Sequence, residues 1–157
     1  MQDLLVIIPA KFNSQRLKGK NLKKIGKCNL IEKKIISCLQ AKIPRKNIFL
    51  STDSQKILIY QKKFSIFKSS LRKKKLSTSK SSTMAVILDS LRKFPNISRI
   101  EYVAILPVTN PLLSYKSIKK IYLKLKKNKK AISIVSITQP INHPFQIVEQ
   151  KKEYLIF

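Results

Sequence analysis

A loop rich in basic and short polar side chains follows the first apolar segment of the chain. Leu4–Ile8 is a continuous apolar run closed by Pro9, and residues 10–21 come directly after it. Lys and Arg side chains can neutralise phosphate oxygens, and hydroxyl or free backbone N–H groups can add donors. The basic residues of the loop are Lys11, Arg16, Lys18 and Lys20. Phosphate binding and a merely solvated basic loop are both compatible with this composition. It is not a P-loop, because the segment lacks the upstream Gly and the following Ser or Thr.

Two more loops are expected at the same edge of the molecule. Ile48–Leu50 predicts a second strand that ends at the polar turn 51–54, and Tyr102–Leu106 predicts another that ends at residues 107–113. Strands that alternate with helical patterns are typical of βαβ units and a parallel sheet. Ligands bind beyond the carboxyl ends of the strands in such sheets. The three loops are therefore candidates for one site.

The predicted fold class is α/β, with a Rossmann-like, mostly parallel sheet and helices on both faces. Asn29 and Glu32 form a capping-box pattern at the start of a helix, and Ser54 is placed to cap the next one. Helical spacing predicts further helices at 84–91 and 118–125, and residues 68–82 are expected to be an exposed loop. A weak strand is predicted near 64–67, and a further strand is predicted at 131–137. One domain over residues 1–157 is the simplest interpretation.

The charge balance is unusual: 34 Lys and Arg face 7 Asp and Glu, which gives a formal net charge of +27. Such a field attracts polyanions and phosphorylated small molecules. Because no RNP-like, helix-turn-helix or zinc pattern accompanies it, nucleic acid is an unlikely partner. Cys28 and Cys38 match neither a zinc site nor a disulfide framework. With no signal peptide or membrane span in the sequence, we expect a soluble, cytoplasmic protein with no membrane partner.

Several segments together resemble the acylneuraminate cytidylyltransferases. Pro9-Ala10-Lys11, Ser14 and Lys20-Asn21 match the nucleotide-binding signature that follows the family's first strand. Residues 14–20 are also similar to the related ketodeoxyoctulosonate cytidylyltransferases. Residues 50–54, 106–112 and 142–145 resemble the family's Ser-Thr-Asp, Leu-x-Pro-Thr-Ser-Pro-Leu and His-Pro segments, in the same order. The resemblance covers essentially all 157 residues.

The resemblance implies a nucleotidyltransferase of the nucleotide-diphospho-sugar transferase type. Such enzymes transfer CMP from CTP to the anomeric hydroxyl of a sialic-acid-like 2-keto sugar acid and release pyrophosphate. By this resemblance Lys20 and Arg16 are the catalytic candidates, and Thr109 and Asn110 would contact the sugar acid. The nucleotide would be bound by Lys11, Ser14, Lys20, Asn21, Arg72, Ser81 and Thr83. Lys11 stands where the family usually has Arg, which removes a bidentate fork but keeps the charge.

Mg²⁺ is the cofactor that the resemblance implies, and carboxylates are its usual protein ligands. Only Asp53 among the seven acids lies at the predicted site edge, and a turn or helix cap is an equally good role for it. In the family the metal carboxylates and the dimerisation arm lie beyond the position of Phe157. We therefore expect a C-terminally truncated nucleotide-binding domain, and a homodimer for a full-length protein.

Two alternatives to a cytidylyltransferase stay open. One is a degenerate, non-catalytic nucleotide-binding relative, which a partner would have to complete. The other is a basic nucleic-acid-binding protein, whose affinity for polyanions would depend steeply on salt and not on Lys20. His143 precedes Pro144 and is interpreted as structural rather than catalytic.

Overall fold

The computed structural model describes residues 1–12, 19–78, 81–137, 149–151 and 154–156. The chain divides into two units, Met1–Lys120 and Ile121–Phe157. The strands and helices are, in chain order, β1 (Leu4–Pro9), β2 (Lys24–Ile25), β3 (Cys28–Asn29), α1 (Leu30–Gln40), β4 (Ile48–Ser51), α2 (Gln55–Phe64), α3 (Thr83–Lys93), β5 (Tyr102–Ile105), α4 (Tyr115–Lys127), β6 (Glu149–Lys151) and β7 (Tyr154–Ile156). None of the described helices is long and apolar enough to cross a membrane.

A three-stranded parallel sheet in the order β4-β1-β5 organises the first unit. The register places Ile7 of β1 beside Phe49 of β4 on one side and Ile105 of β5 on the other. Residues 4–8 are all buried, which requires cover on both faces and explains why β1 is an uninterrupted apolar run. The predicted α/β class with a parallel sheet is confirmed.

The core on one face of the sheet joins β1 and β4 to α3. Leu5 and Ile7 pack with Phe49, Ile87 and Phe94. Phe67 stacks on Phe49 with ring centroids 5.4 Å apart and contacts Phe94 at 5.2 Å. Burying side chains of this size stabilises the fold by about 1.5–3 kcal/mol each, so this cluster fixes the strands whose ends form the candidate site.

Helix α1 begins as the sequence predicts. The Asn29 side chain accepts a hydrogen bond from the Glu32 N–H, and the Glu32 carboxylate accepts one from the Asn29 N–H, both at 2.9 Å. The apolar residues that helical spacing puts on one face of α1 turn inward: Leu30, Ile31, Ile35 and Cys38 are buried, and Leu39 is partly exposed. Burial raises the pKa of the Cys38 thiol to about 12, so this residue is an inert part of the core.

The strand predictions at 64–67 and 131–137 are both wrong. Helix α2 continues to Phe64, and Ser65 then adopts a left-handed conformation with φ of 50°, which closes the helix and leaves only an isolated bridge between Phe67 and Phe49. Residues 131–137, all of them described, form no strand. Ile132 is fully exposed there and Val135 is 63% exposed. Strand propensity depends on packing against neighbours, which these side chains lack.

Three other local predictions need correction. β5 is not buried like β1, because Val103 and Ile105 are 41% and 39% exposed. Ser54 occupies the N-cap position of α2, but its side chain makes no capping hydrogen bond. The segment 68–82 is not simply an exposed loop, since Ser69 and Arg72 within it are buried.

Candidate functional site

The loop after β1 is held at both of its described ends. The Ala10 N–H donates to the Ser51 carbonyl at 2.8 Å, and the Phe12 N–H donates to Asp53 Oδ1 at 2.9 Å. Asn21 Nδ2 donates to the Lys11 carbonyl at 2.6 Å. The first two bonds join the loop to the end of β4, and the third closes the loop on itself, so Lys11 and Asp53 belong to one cluster at the carboxyl edge of the sheet.

Lys20 lies in a short helical turn, Lys20–Leu22, that closes this loop. Gly19 precedes the turn with φ of 64°, a left-handed conformation that favours glycine. Lys20 is half-buried, whereas Asn21 is 4% exposed. Asn21 Oδ1 is buried and has no hydrogen-bond partner among the described residues. An unpaired buried acceptor costs about 1–3 kcal/mol, so a donor brought to this position would be stabilising.

Asp53 connects the loops after β1 and β4 rather than capping α2. Its Oδ1 accepts from Phe12, and its charge acts on Arg72. The described residues contain no group of three His, Cys, Asp or Glu side chains that could hold a metal ion. Mg²⁺ is commonly held by one or two carboxylates together with substrate phosphates and water. Asp53 fits that limited role through Oδ2, because Oδ1 is engaged by Phe12.

Arg72 is a buried cation beside Asp53. Its backbone N–H donates to the Thr52 carbonyl at 2.7 Å, and its Nε donates to Ser77 Oγ at 3.1 Å. Burial lowers the pKa of the guanidinium, while Asp53 and Asp89 oppose that shift. Because an arginine remains protonated at neutral pH, Arg72 keeps a positive charge at 6% exposure next to the end of β4.

Ser81 and Thr83 lie where the segment 72–82 leads into α3. Ser81 Oγ donates to the Lys75 carbonyl at 2.8 Å and lies 2.8 Å from Thr78 Oγ1. Thr83 is the first residue of α3, and its side chain is exposed. Ser82 caps the helix by accepting from the Ala85 N–H at 3.1 Å. Ser81 is thus fixed within the segment that carries Arg72, and Thr83 lies at the positive end of a helix dipole.

The loop after β5 presents Thr109 and Asn110 to solvent. Both residues are exposed, whereas Val108 beside them is 2% exposed and anchors the loop. The Asn110 N–H donates to the Pro107 carbonyl at 3.4 Å and closes a turn. Since β5 pairs in parallel with β1, this loop lies at the same edge of the sheet as the loop after β1.

A buried lysine that sequence reasoning missed connects α1 to this loop. Lys34 is 2% exposed, and its Nζ donates to the Asn110 carbonyl at 2.7 Å. Burial lowers the pKa of its ammonium. The sequence pattern could have revealed this lysine. Residues 30, 31, 34, 35 and 38 lie on one face of the helix, and Lys34 is the charged residue in that otherwise apolar stripe.

The structure therefore links Lys11, Asn21, Asp53 and Arg72 through hydrogen bonds and charge, with Lys20 adjacent to Asn21. Thr109 and Asn110 lie on a neighbouring loop. Ser14 and Arg16 fall within residues 13–18, and His143 within 138–148, all of them outside the described residues. The roles given to these residues stay predictions.

The chain is similar to a known protein family and to solved structures. The model of a family described as cytidylyltransferase matches residues 5–155. A solved structure of CMP:2-keto-3-deoxy-manno-octonic acid synthetase complexed with CTP matches with a TM-score of 0.64 and 17% identity, covering 82% of this chain and 49% of that one. A cytidylyltransferase structure from Leptospira borgpetersenii serovar Hardjo-bovis (strain JB197) matches with a TM-score of 0.54 and 16% identity, covering 83% of this chain and 51% of that one.

The chain spans about half the length of these two structures, and at such low identity the likeness shows the fold alone. No curated protein matches the chain by sequence. The family match extends over nearly the whole chain and includes the strands and loops described above. The chain belongs to the cytidylyltransferase family.

Proposed function

We propose that this chain binds CTP at the ends of β1 and β4 and is the nucleotide-binding part of an enzyme that transfers CMP to the anomeric hydroxyl of a 2-keto sugar acid. The observation that carries the proposal is the family match over residues 5–155. The cluster of basic and amide groups at the carboxyl edge of the sheet supports it. Sialic acids and ketodeoxyoctulosonate are the candidate acceptors, all of them carboxylated sugars.

The charges of the cluster suit a triphosphate. Lys11, Lys20 and Arg72 supply positive charge at this edge, and Asp53 is the acidic residue that the described structure places among them. Hydrogen bonds from charged donors to phosphate oxygens are worth about twice as much as neutral ones. The two lysines would neutralise the β- and γ-phosphates, which favours pyrophosphate as the leaving group.

The base and ribose would lie toward the segment 72–83. Asn21 offers a buried amide oxygen that has no partner among the described residues, and such an acceptor suits an exocyclic amino group such as that of cytosine. Ser81 and Thr83 add hydroxyl groups near the start of α3. These contacts would distinguish CTP from a nucleotide whose base presents an acceptor at that position.

Catalysis on this scaffold would consist mainly of positioning. The sugar hydroxyl attacks the α-phosphorus and releases its proton to solvent, the bond from that phosphorus to the bridging oxygen breaks, and pyrophosphate leaves. The loop after β5 would hold the acceptor through Thr109 and Asn110, while the loop after β1 holds the phosphates. Mg²⁺ bound to the phosphates would supply further charge neutralisation, with Asp53 as one ligand. Alignment of the two substrates on neighbouring loops is the contribution of this chain.

Calorimetric titration with CTP, ATP and GTP at moderate salt tests the proposal, with and without Mg²⁺. We expect CTP to bind selectively, and Lys20→Ala to weaken CTP binding by about tenfold or more, since a charged hydrogen bond is worth about 1.5–3 kcal/mol. Lys23→Ala is the matched control, because Lys23 is an exposed lysine three residues along the same turn.

Equal, salt-sensitive binding of all three nucleotides, with the same loss in both variants, would contradict the proposal and leave only a basic surface. Selective CTP binding without pyrophosphate release in the presence of N-acetylneuraminate or ketodeoxyoctulosonate would support the degenerate, non-catalytic relative instead.

A further inference from the structure

Lys34 is an anomaly in the core of the first unit. Its side chain is 2% exposed, and none of the described carboxylates lies within ion-pair distance of it. The neighbouring Cys38 is buried and protonated at neutral pH, so it cannot serve as a counter-ion. A buried charge without an ionic partner is destabilising, and an apolar side chain of the same length would cost less.

Among the described residues, the group that Lys34 holds is part of a candidate binding loop. Lys34 Nζ donates to the Asn110 carbonyl at 2.7 Å across 76 positions of sequence. The exposed Thr109 and Asn110 side chains project from the turn whose backbone is held in this way. The ammonium thus fixes the backbone of a loop whose side chains remain available to a ligand.

We propose that Lys34 is a positioning residue, which holds the Asn110 carbonyl and so fixes the loop that presents Thr109 and Asn110 to the acidic sugar. The identity of that ligand rests on the proposed function. Lys34 does not touch the reacting atoms in this account. It orders the acceptor loop, and the nucleotide loops after β1 and β4 keep their own hydrogen bonds without it.

The stability of a Lys34 variant distinguishes a positioning role from a merely structural one. Lys34→Met keeps the length and volume of the side chain and removes the charge. If Lys34 served only to hold the fold together, the variant would unfold more easily than the wild type. A residue retained for positioning should instead give a variant that is equally or more stable and less able to use its acceptor.

The test compares Lys34→Met with the wild type and with Lys33→Met, a substitution of the preceding and more exposed lysine of α1. Backbone ¹⁵N relaxation reports the order of the Thr109 and Asn110 amides without any turnover. We expect their order parameters to fall from about 0.85 toward about 0.6 in Lys34→Met only. In steady state we expect KM for the sugar acid to rise at least about tenfold, with KM for CTP within about twofold. Lys34→Arg, which keeps the charged donors, should recover part of this loss.

Unchanged order parameters in a folded Lys34→Met would overturn the proposal, whatever the activity of the protein. A parallel rise of both KM values, together with a lower melting temperature, would show a structural role and also overturn it. Failure of the wild type to bind CTP would instead count against the proposed function, and the relaxation experiment would still decide whether Lys34 orders the loop.

Discussion

The two sides of the candidate site are held in different ways. The loop after β1 is joined to the end of β4 by hydrogen bonds from Ala10 to Ser51 and from Phe12 to Asp53. The bond from Asn21 to Lys11 closes this loop on itself, and Arg72 donates to Thr52 in the loop after β4. The loop after β5 is linked to another element by the single bond from Lys34 to Asn110, among the side-chain bonds that the described residues make. The strands differ similarly, since β1 is wholly buried and β5 is half-exposed.

On the proposed function, the loops after β1 and β4 are the nucleotide side of the site and the loop after β5 is the acceptor side. The difference in their hydrogen bonds then implies that the nucleotide side is preorganised and that the acceptor side can be adjusted. Several hydrogen bonds limit the movement of the loops after β1 and β4, whereas the loop after β5 is held by the bond from Lys34 and by the buried Val108 side chain. Changes on the nucleotide side should therefore affect folding and CTP binding together. Changes on the acceptor side should affect the acceptor with little effect on CTP.

The largest effect is expected for Asp53→Ala. The substitution leaves the Phe12 N–H without its acceptor and removes the carboxylate beside Arg72, so we expect the free energy of unfolding to fall by about 1.5–3 kcal/mol. Affinity for CTP should fall as well, because the loop after β1 loses one of its two hydrogen bonds to the end of β4 and the loop that follows it. Urea denaturation and CTP calorimetry measure the two effects.

Asp53→Asn is the matched control for that prediction. Its amide oxygen can still accept from the Phe12 N–H although the charge is lost. Most of the stability that Asp53→Ala loses should therefore be retained in Asp53→Asn. A wild-type stability and CTP affinity in Asp53→Ala would show that the two loops are not coupled through this residue.

Val108→Ala tests the apolar anchor of the acceptor loop. Val108 is 2% exposed, and the loss of two buried methyl groups costs about 1.5 kcal/mol at about 0.8 kcal/mol each. KM for the sugar acid should rise while the dissociation constant for CTP stays within about twofold. A loss of CTP affinity as large as the loss for the acceptor would show that the two sides are not independent.

Asn29→Ala should lower stability by about 1 kcal/mol, because it removes the cap of α1. Its effect should be the same with and without CTP, since the capping box is not part of either loop. Thermal unfolding with and without CTP measures this effect. If CTP raised the melting temperature of Asn29→Ala by a different amount from that of the wild type, the prediction would be contradicted.

The same capping box gives a prediction in acid. Lys63 and the Asn29 N–H lower the pKa of Glu32 below its usual 4.5. A carboxyl whose pKa is depressed by folding contributes stability above its unfolded pKa and loses it as the pH falls through the folded pKa. The stability difference between wild type and Glu32→Gln should therefore shrink below about pH 4.5. A stability difference that stays constant as the pH falls well below 4.5 would show that Lys63 and the Asn29 N–H do not stabilise the Glu32 carboxylate.

The smallest effect concerns Lys34 in alkali. Burial depresses the pKa of the Lys34 ammonium below 10.5, so the unfolded chain binds more protons in the window between the folded pKa and 10.5. The destabilising effect of its charge is complete below the folded pKa and disappears as the pH rises through that window. Any stability advantage of Lys34→Met should shrink over the same range in melting curves, and an advantage independent of pH would contradict this.

The parts of the fold that the sequence predicts correctly depend on local signals. Buried β1 is a continuous apolar run, and α1 begins at a complete capping box with an apolar stripe after it. β5 and residues 131–137 have apolar patterns of the same kind. Their burial depends on neighbours elsewhere in the structure, which a pattern along one segment does not reveal.

The candidate site, too, can be predicted from the sequence only in part. Residues at strand ends, such as Lys11, Asp53 and Thr109, can be placed from the order of strands and helices. The bonds that hold them cannot, because the contacts of Asn21, Arg72 and Lys34 depend on side-chain geometry in three dimensions. Lys34 was visible as a charge on an apolar stripe, but its partner 76 positions away was not.

The most direct test of this account is a ¹H–¹⁵N titration of the protein with CTP at moderate salt. We predict that the signals that move belong to the ends of β1 and β4, chiefly Lys11, Phe12, Lys20, Asn21 and Arg72, and that the exposed lysines of α4 stay unperturbed. Shifts spread over the lysines of α4, reproduced by inorganic triphosphate and abolished by salt, would contradict a nucleotide site at the carboxyl edge of the sheet.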